Sequence, residues 1–331
     1  MFHRFMLALT FVVVFIVAAF AMAFYLPRPN LNQVFGVSFN SEYASYLGLD
    51  PKEVLTKIFD DWGFCHLRLS IQWDEVEKTE GKYDFSELDW QMNEAAKRDA
   101  KIVLAIGQKT PRWPECHVPD WTKELDAADY SARLKKFVAA AVERYRQHPS
   151  LEIWQVENEP FLPFGLCRPF SKQDLVEEIA MIRRLDNSSR PVLVTDSGEL
   201  GWWFKAAKAG DLFGTTIYRV VWHKRLGYFP YDWLPAGFYR LKLWLTGLNS
   251  NQAVVSELQA EPWVPDLDVK NWPLEEQYKS LDMERFQKTI DFSRRVGFPR
   301  AYLWGAEWWA WLAKQSGGED FGPLLKELKK E

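Results

Sequence analysis

The chain has 331 residues, 47% of them hydrophobic, and a formal net charge of −4. This length and apolar content can bury a large core in one or two domains. The mildly acidic balance and the lack of a long basic run exclude an electrostatic footprint for nucleic acid, so we expect no nucleic-acid partner.

The first 30 residues form a segment apart from the rest. Residues 5–26 contain no charge, with Arg4 before them and Arg28 after them, and this stretch is long enough to span a bilayer. Ala21-Met22-Ala23 resembles a signal-peptidase site, so a cleaved signal peptide is the alternative to an uncleaved anchor. In both cases we expect residues 31–331 to be an exported catalytic domain, either membrane-anchored on the outer face or secreted.

The remaining chain alternates short β-rich runs with amphipathic helical stretches. The strands are predicted at 33–39, 64–71, 101–107, 151–157, 191–196, 212–219, 252–257 and 300–305. The clearest helices are predicted at 51–61, 85–98, 128–147, 172–185 and 284–296. Residues 221–250 are irregular and aromatic, and we expect a loop and a helix there.

Eight β/α units over about 300 residues are typical of a (β/α)₈ TIM barrel. A doubly wound open sheet is the alternative, but no glycine-rich phosphate turn follows the first strand. We therefore predict a single α/β barrel domain after the N-terminal segment.

The fourth predicted strand runs into Trp154-Gln155-Val156-Glu157-Asn158-Glu159-Pro160. Strand alternation would point Glu157 and Glu159 to the same side, and Pro160 would hold Glu159 extended and end the strand. Polar side chains on a buried strand are costly unless they line a wet cavity. We expect Glu159 at the mouth of that cavity, and Glu157 one layer below it, paired with a cation or hydroxyl of the barrel interior.

In a barrel of this kind, functional residues lie at the C-terminal ends of the strands. The polar and aromatic residues at those ends are Arg68, Asn158, Glu159, Tyr218, Glu257, Trp304 and Glu307. Glutamates on the fourth and seventh β/α units lie nearly opposite each other across the barrel mouth. Glycoside hydrolysis needs two such carboxyl groups, one on each face of the scissile bond.

These motifs resemble the glycoside hydrolases of clan A, which are retaining (β/α)₈ glycosidases, here similar to families 5, 39 and 42. Asn158-Glu159-Pro160 matches the Asn-Glu-Pro signature of the clan. The resemblance implies that Glu159 is the general acid/base and that Asn158 holds the 2-hydroxyl of the sugar. Val254-Val255-Ser256-Glu257 resembles the segment that ends in the nucleophile, which would be Glu257.

The same resemblance implies roles in substrate binding for four further residues. Arg68 stands where the clan keeps an arginine near the nucleophile, and Tyr218 resembles the tyrosine that orients it. Trp304 resembles the tryptophan under the sugar, and Glu307 is similar to an acid that reaches a sugar hydroxyl in some members.

Two positions depart from the pattern of family 5. Thr216 stands where that family usually has a histidine, and Gln108-Lys109-Thr110 follows the third strand where some relatives also have one. The resemblance is therefore to the clan, and no substrate of family 5 is carried over.

The predicted function is cleavage of β-linked glycosides or polysaccharides by double displacement. A non-catalytic, membrane-anchored carbohydrate-binding barrel is the alternative, although it does not require both glutamates. The 17 tryptophans suit either a sugar-stacking cleft or simple core filling. The five histidines show no metal-ligand spacing, so we expect no metal or cofactor, and no obligate protein partner is evident.

The three cysteines have different predicted roles. Cys65 falls in the second strand, where we expect a buried free thiol. Cys116 and Cys167 fall in loops after the third and fourth strands, which are neighbours in a barrel. Export would permit a disulfide between them, but two loop thiols are equally compatible with the sequence.

Overall fold

The computed structural model describes residues 2–25 and 32–328 of the chain. Its main sheet has eight strands: β1 (Val34–Ser38), β2 (His66–Ser70), β3 (Lys101–Ile106), β4 (Leu151–Val156), β5 (Val192–Asp196), β6 (Leu212–Ile217), β9 (Ala253–Gln259) and β10 (Arg300–Trp304). Strands β7 (Val220–His223) and β8 (Gly227–Pro230) form a separate hairpin. Each predicted strand is present, with its ends within two residues of the prediction.

The eight strands close into a parallel barrel in the order β1-β10-β9-β6-β5-β4-β3-β2. The predicted (β/α)₈ barrel is therefore confirmed, and the open sheet is excluded. All eight C-terminal strand ends meet at one face, where β10 lies diametrically opposite β4 in the ring.

Helices surround the barrel. They are α1 (Phe2–Tyr25), α2 (Ser41–Tyr46), α3 (Pro51–Thr56), α4 (Trp73–Val76), α5 (Ser86–Ala96), α6 (Ala127–Tyr145), α7 (Lys172–Asp186), α8 (Ala236–Thr246), α9 (Leu274–Gln277), α10 (Met283–Val296), α11 (Ala306–Leu312) and α12 (Gly322–Leu328). A π-helical turn, Lys57–Asp61, continues α3.

Local sequence explains where several helices begin. The Asp50 side chain accepts from the backbone N–H of Lys52, and Pro51 occupies the first helical position of α3. Ser171 and Asp174 form a capping box at the start of α7. In contrast, residues 197–211 form turns, so the connection from β5 to β6 lacks the helix expected between these strands.

Apolar side chains fill both layers of the fold. Inside the barrel, a small cluster of strand residues packs together: Val103, Ile153, Leu193, Val254 and Tyr302. A much larger cluster lies between the strands and the helices. The barrel interior is thus a packed core, and the C-terminal face is where ligand sites lie in barrels of this kind.

Helix α1 covers most of the segment for which a membrane span was predicted. Leu26 and Arg28, at the end of that segment, lie outside the described residues. Within residues 2–25 and 32–328, no helix combines the length and the apolarity that crossing a membrane requires. The predicted transmembrane segment is therefore not supported.

The structure distinguishes between a disulfide and two free thiols at Cys116 and Cys167. Cys116 and Cys167 form a disulfide with a Cα–Cα distance of 5.2 Å, which ties the loop after β3 to the loop after β4. The prediction that Cys65 is buried is wrong: the free thiol is exposed, and the residue lies just before β2 and not within it.

Candidate active site

Arg68 on β2 is the centre of a buried hydrogen-bond network at the barrel mouth. Its Nη1 donates to Glu257 Oε1 at 2.9 Å, its Nη2 to Asn158 Oδ1 at 2.8 Å, and its Nε to Gln155 Oε1 at 2.7 Å. Each of the three guanidinium nitrogens thus donates one hydrogen bond, and together they fix groups of β4 and β9 relative to each other. Gln155 was not among the predicted site residues.

Glu257 lies within β9 and is 5% exposed. One carboxylate oxygen receives the ion pair from Arg68, and the other accepts the hydroxyl of Tyr218 at 2.8 Å. Tyr218 is held in turn by its backbone N–H, which donates to Glu199 at 3.0 Å. These contacts hold the Glu257 carboxylate in one orientation.

Glu159 lies three residues beyond the end of β4 with a left-handed backbone, φ +44°. Its N–H donates to Thr195 Oγ1 at 2.9 Å, and its carbonyl accepts from Lys109 Nζ at 3.1 Å. The expected extended conformation before Pro160 is therefore wrong. A left-handed non-glycine residue is strained, and such strain persists only where surrounding contacts hold it.

The Glu159 carboxyl differs in its surroundings from Glu257. Its Oε1 is buried and has no hydrogen-bond partner among the residues that the structure describes. Burial raises the pKa of Glu159 well above its usual value, and the neighbouring charges of Glu257 and Glu115 add to this effect. The two glutamates thus have opposite electrostatic environments at the same mouth.

Asn158 joins the network from the same turn. Its Oδ1 accepts from Arg68 and its Nδ2 donates to Glu115 Oε2 at 3.1 Å. Glu115 follows β3, is 8% exposed, and has a pKa raised to about 7 by burial and by Glu257. The sequence analysis missed Glu115 because it occupies an irregular loop without a recognisable motif.

Glu157 was predicted to point into the barrel interior, and its observed contacts differ from this prediction. Its carboxylate accepts the backbone N–H groups of Gln108 and Lys109 at 2.7 and 2.8 Å, and it lies beside Glu178 of α7. Its own backbone is left-handed, with φ +59°, so strand alternation ends at Val156. The observed hydrogen bonds of the carboxylate are therefore to backbone amides, with the Glu178 carboxyl beside it, and the predicted pairing with a cation or hydroxyl of the barrel interior is not seen among the described residues.

Trp304 ends β10 and lines the cavity at the barrel mouth, but a guanidinium lies over its ring. The Arg112 Cζ is 4.3 Å from the Trp304 ring centroid and 3.8 Å from that of Tyr43. Glu307 is 1% exposed, accepts from the backbone N–H of Asn40 at 2.5 Å and pairs with Arg112. The structure thus places Glu307 beneath the cavity.

The positions that depart from family 5 have structural partners. Besides the Glu159 carbonyl, Lys109 Nζ donates to the carbonyl of Leu162 at 3.2 Å, so it supports the turn that carries the Asn-Glu-Pro motif. Thr216 Oγ1 accepts from the backbone N–H of Gly198 at 3.0 Å. The hydrogen bonds that Lys109 Nζ and Thr216 Oγ1 make are thus to backbone groups.

A cavity of about 430 Å³ opens above these residues. Glu257, Tyr218 and Trp304 line its base. The aromatic side chains Trp113, Phe164 and Trp263 form part of its walls. A parallel eight-stranded barrel with this cavity, and with glutamates after β4 and on β9, is the arrangement typical of (β/α)₈ glycoside hydrolases.

Comparison with known proteins agrees with this class. Residues 56–164 match the β-galactosidase model of glycoside hydrolase family 42, which is less than half of the chain. None of the curated protein sequences matches the chain. The predicted resemblance to the clan A glycosidases is confirmed by this partial match.

Solved structures share the fold at low identity. A GH5_18 protein from Bifidobacterium longum subsp. longum is 12% identical over 82% of this chain and 69% of its own, with a TM-score of 0.58. A glycosylated endo-β-1,4-xylanase of family 10 from Gloeophyllum trabeum is 15% identical over 84% and 86%, with a TM-score of 0.55. A β-galactosidase from Halorubrum lacusprofundi is 15% identical over 82% and 52%, with a TM-score of 0.52. The chain thus spans about half the length of the Halorubrum enzyme, and 41% of the β-galactosidase from Rahnella sp. R3.

Proposed function

We propose that the protein is a retaining β-glycosidase in which Glu159 is the general acid/base and Glu257 is the nucleophile. The observation that carries the proposal is the contrast between the two carboxyl groups. Glu257 is ion-paired with Arg68 and hydrogen-bonded to Tyr218, whereas Glu159 is buried with a raised pKa. A charged carboxylate and a protonated carboxylic acid at one site are what double displacement requires.

In the first step, a Glu257 oxygen attacks the anomeric carbon while the glycosidic bond to the leaving group breaks. Glu159 transfers its proton to the departing oxygen, so the leaving group departs as a neutral alcohol. Arg68 and Tyr218 hold the attacking carboxylate. In this proposal Asn158 binds the 2-hydroxyl of the sugar, and the hydrogen bonds of its amide with Arg68 and Glu115 support the role by orienting the side chain.

In the second step, Glu159 is ionised and acts as a base. It removes a proton from water, whose oxygen attacks the anomeric carbon and breaks the ester bond to Glu257. The product keeps the β configuration because two inversions have occurred, and both glutamates return to their starting protonation states.

The substrate is a β-linked glycoside in this proposal. The matching model describes β-galactosidases, and one structural relative is a β-1,4-xylanase, so both printed names refer to β-linked sugars. The aromatic walls of the cavity suit the apolar faces of a pyranose ring.

The test is release of nitrophenol from a panel of aryl β- and α-glycosides by residues 31–331. At least one β-glycoside should be hydrolysed, and the α-glycosides should not. Glu257→Gln should abolish this activity, whereas the matched surface variant Glu177→Gln, at an exposed ion pair with Lys135, should retain it. An inactive wild-type domain that still binds sugars would favour the non-catalytic carbohydrate-binding alternative.

We also propose that the catalytic domain is exported. The Cys116–Cys167 disulfide supports this, because such bonds persist in oxidising compartments. Whether the N-terminal segment is retained or cleaved decides between a membrane-associated and a secreted form.

A further inference from the structure

The two glutamates fix the direction in which a substrate lies across the barrel mouth. The general acid must contact the leaving-group oxygen, so the leaving group lies on the side of β4, which carries Glu159. The reacting sugar therefore extends away from β4. Since β10 is diametrically opposite β4, further sugars at the non-reducing end would have to pass over β10.

An ionic cluster occupies this position. Arg112, from the loop after β3, pairs with Glu261 from the loop after β9 and with Glu307 at the start of α11. Its Nη2 is 3.2 Å from a carboxylate oxygen of each. The guanidinium also covers the rings of Tyr43 and Trp304.

The cluster is fixed from several sides. Arg112, Glu261 and Glu307 are each at most 13% exposed at the side chain. The disulfide at Cys116 tethers the loop that carries Arg112, four residues away. A buried arginine with two carboxylate partners is costly to displace, because it would leave those carboxylates unpaired.

A second contact joins two loops on the same side of the barrel mouth. Helix α2, which follows β1, is joined to the loop after β9 by the hydrogen bond from the Tyr46 hydroxyl to Asp268. Lys270 Nζ donates to the Tyr46 carbonyl at 2.8 Å and lies 4.5 Å from the centroid of its ring. Strands β1 and β9 flank β10 in the barrel, so this contact bridges the loops on both sides of it.

We infer that the Arg112–Glu261–Glu307 cluster and the Tyr46–Asp268 bridge close the cavity beyond the reacting sugar, and that the enzyme removes single terminal sugars. Arg112 is the specificity-determining residue in this account. The inference rests on the proposed function, and it restricts the substrate class to β-linked non-reducing ends.

The first test uses the wild-type catalytic domain. The aryl β-glycoside panel identifies an accepted sugar, and the aryl β-disaccharide of that sugar is then supplied. The free monosaccharide should appear first, and nitrophenol should follow after a lag, because it is released only by the second cleavage. Monosaccharide should exceed disaccharide among the first products by at least roughly tenfold, or ~1.4 kcal/mol.

The second test uses Arg112→Gln, whose amide can still donate a hydrogen bond to a carboxylate while the shorter side chain opens the wall. Tyr46→Ala removes the outer bridge in the same way. Both variants should raise the fraction of disaccharide released by about tenfold. Arg183→Ala, which removes a surface ion pair with Asp211, should leave the product ratio unchanged.

The outcomes separate the two proposals. Hydrolysis of aryl β-monosaccharides together with immediate release of disaccharide by the wild type would overturn the terminal-sugar inference and leave the glycosidase intact. A product ratio in Arg112→Gln and Tyr46→Ala equal to that of the wild type would overturn the role of the wall. Failure to cleave any aryl β-glycoside would overturn the proposed function itself.

Discussion

At the scale of single residues, Glu257 and Glu159 have the same side chain but different neighbours. Glu257 has a guanidinium on one oxygen and a phenol on the other. Glu159 has a buried oxygen without a partner among the described residues, and the charges of three other acids raise its pKa. Because a single arginine contacts both β4 and β9 groups, Arg68 sets the positions of Glu257 and Asn158 together.

Replacement of Glu159 by alanine should affect substrates according to their leaving groups. Departure of a dinitrophenolate needs no proton, so its release should change little in the first step, whereas alkyl glycosides should slow by about 10²–10⁴-fold. Added azide should accelerate turnover and give a glycosyl azide of retained configuration. Normal rates on alkyl glycosides would show that another group supplies the proton.

At the scale of elements, the sequence predicted the strands but not the path beyond them. Hydrophobic periodicity located β4 because its residues are buried by both layers of the fold. The alternation rule then failed at Glu157 and Glu159, since both have left-handed backbones. That conformation depends on Lys109 and Thr195, which are distant in sequence, so no local pattern could predict it.

The paired acids behind this turn should make stability depend on pH. Burial raises the pKa of Glu157 to about 7 from 4.5, and burial together with Glu157 raises the pKa of Glu178 well above its usual value. A raised carboxyl pKa stabilises the fold below the unfolded pKa, and this contribution is lost as pH rises through the folded pKa. We therefore expect the free energy of unfolding to fall between pH 5 and pH 8.

Glu178→Gln tests this explanation because it removes one charge and keeps the shape. The fall in unfolding free energy between pH 5 and 8 should be smaller in the variant by roughly 1–3 kcal/mol. Urea denaturation at both pH values measures it. Glu177→Gln, the exposed neighbour on α7, is the control, and equal pH dependence in Glu178→Gln and wild type would contradict the account.

The disulfide should stabilise both the fold and the site. It links residues 51 positions apart and holds the loops that carry Arg112, Glu115 and the turn after β4. Replacement of Cys116 and Cys167 by serine should lower stability by about 2–4 kcal/mol. Thermal unfolding measures the loss, and kcat should fall as well; Cys65→Ser, an exposed free thiol, should change neither.

At the scale of the whole molecule, the barrel brings the site together from separate loops. Motifs with a fixed place at strand ends can be recognised in the sequence, which is why Arg68, Tyr218 and both glutamates could be predicted as site residues. Arg112 could not be, because its partners Glu261 and Glu307 lie 149 and 195 residues away. Such contacts are defined only by closure of the barrel.

The proposed export can be tested by fractionating cells that express the full chain. The protein should be found outside the cytoplasm with Cys116 and Cys167 oxidised, either with the membranes or as a soluble form beginning near Phe24. Thiol alkylation followed by mass spectrometry distinguishes the oxidation states. A cytoplasmic protein with reduced cysteines would contradict export.

The central claim, double displacement through Glu257, is tested most directly by trapping the covalent intermediate. A 2-deoxy-2-fluoro aryl glycoside of the accepted sugar should slow the second step more than the first, so that the glycosyl-enzyme accumulates. Peptide mapping by mass spectrometry should then find one sugar on Glu257 and none in the Glu257→Gln variant. A label on another residue, or no label together with a product of inverted configuration, would contradict the account.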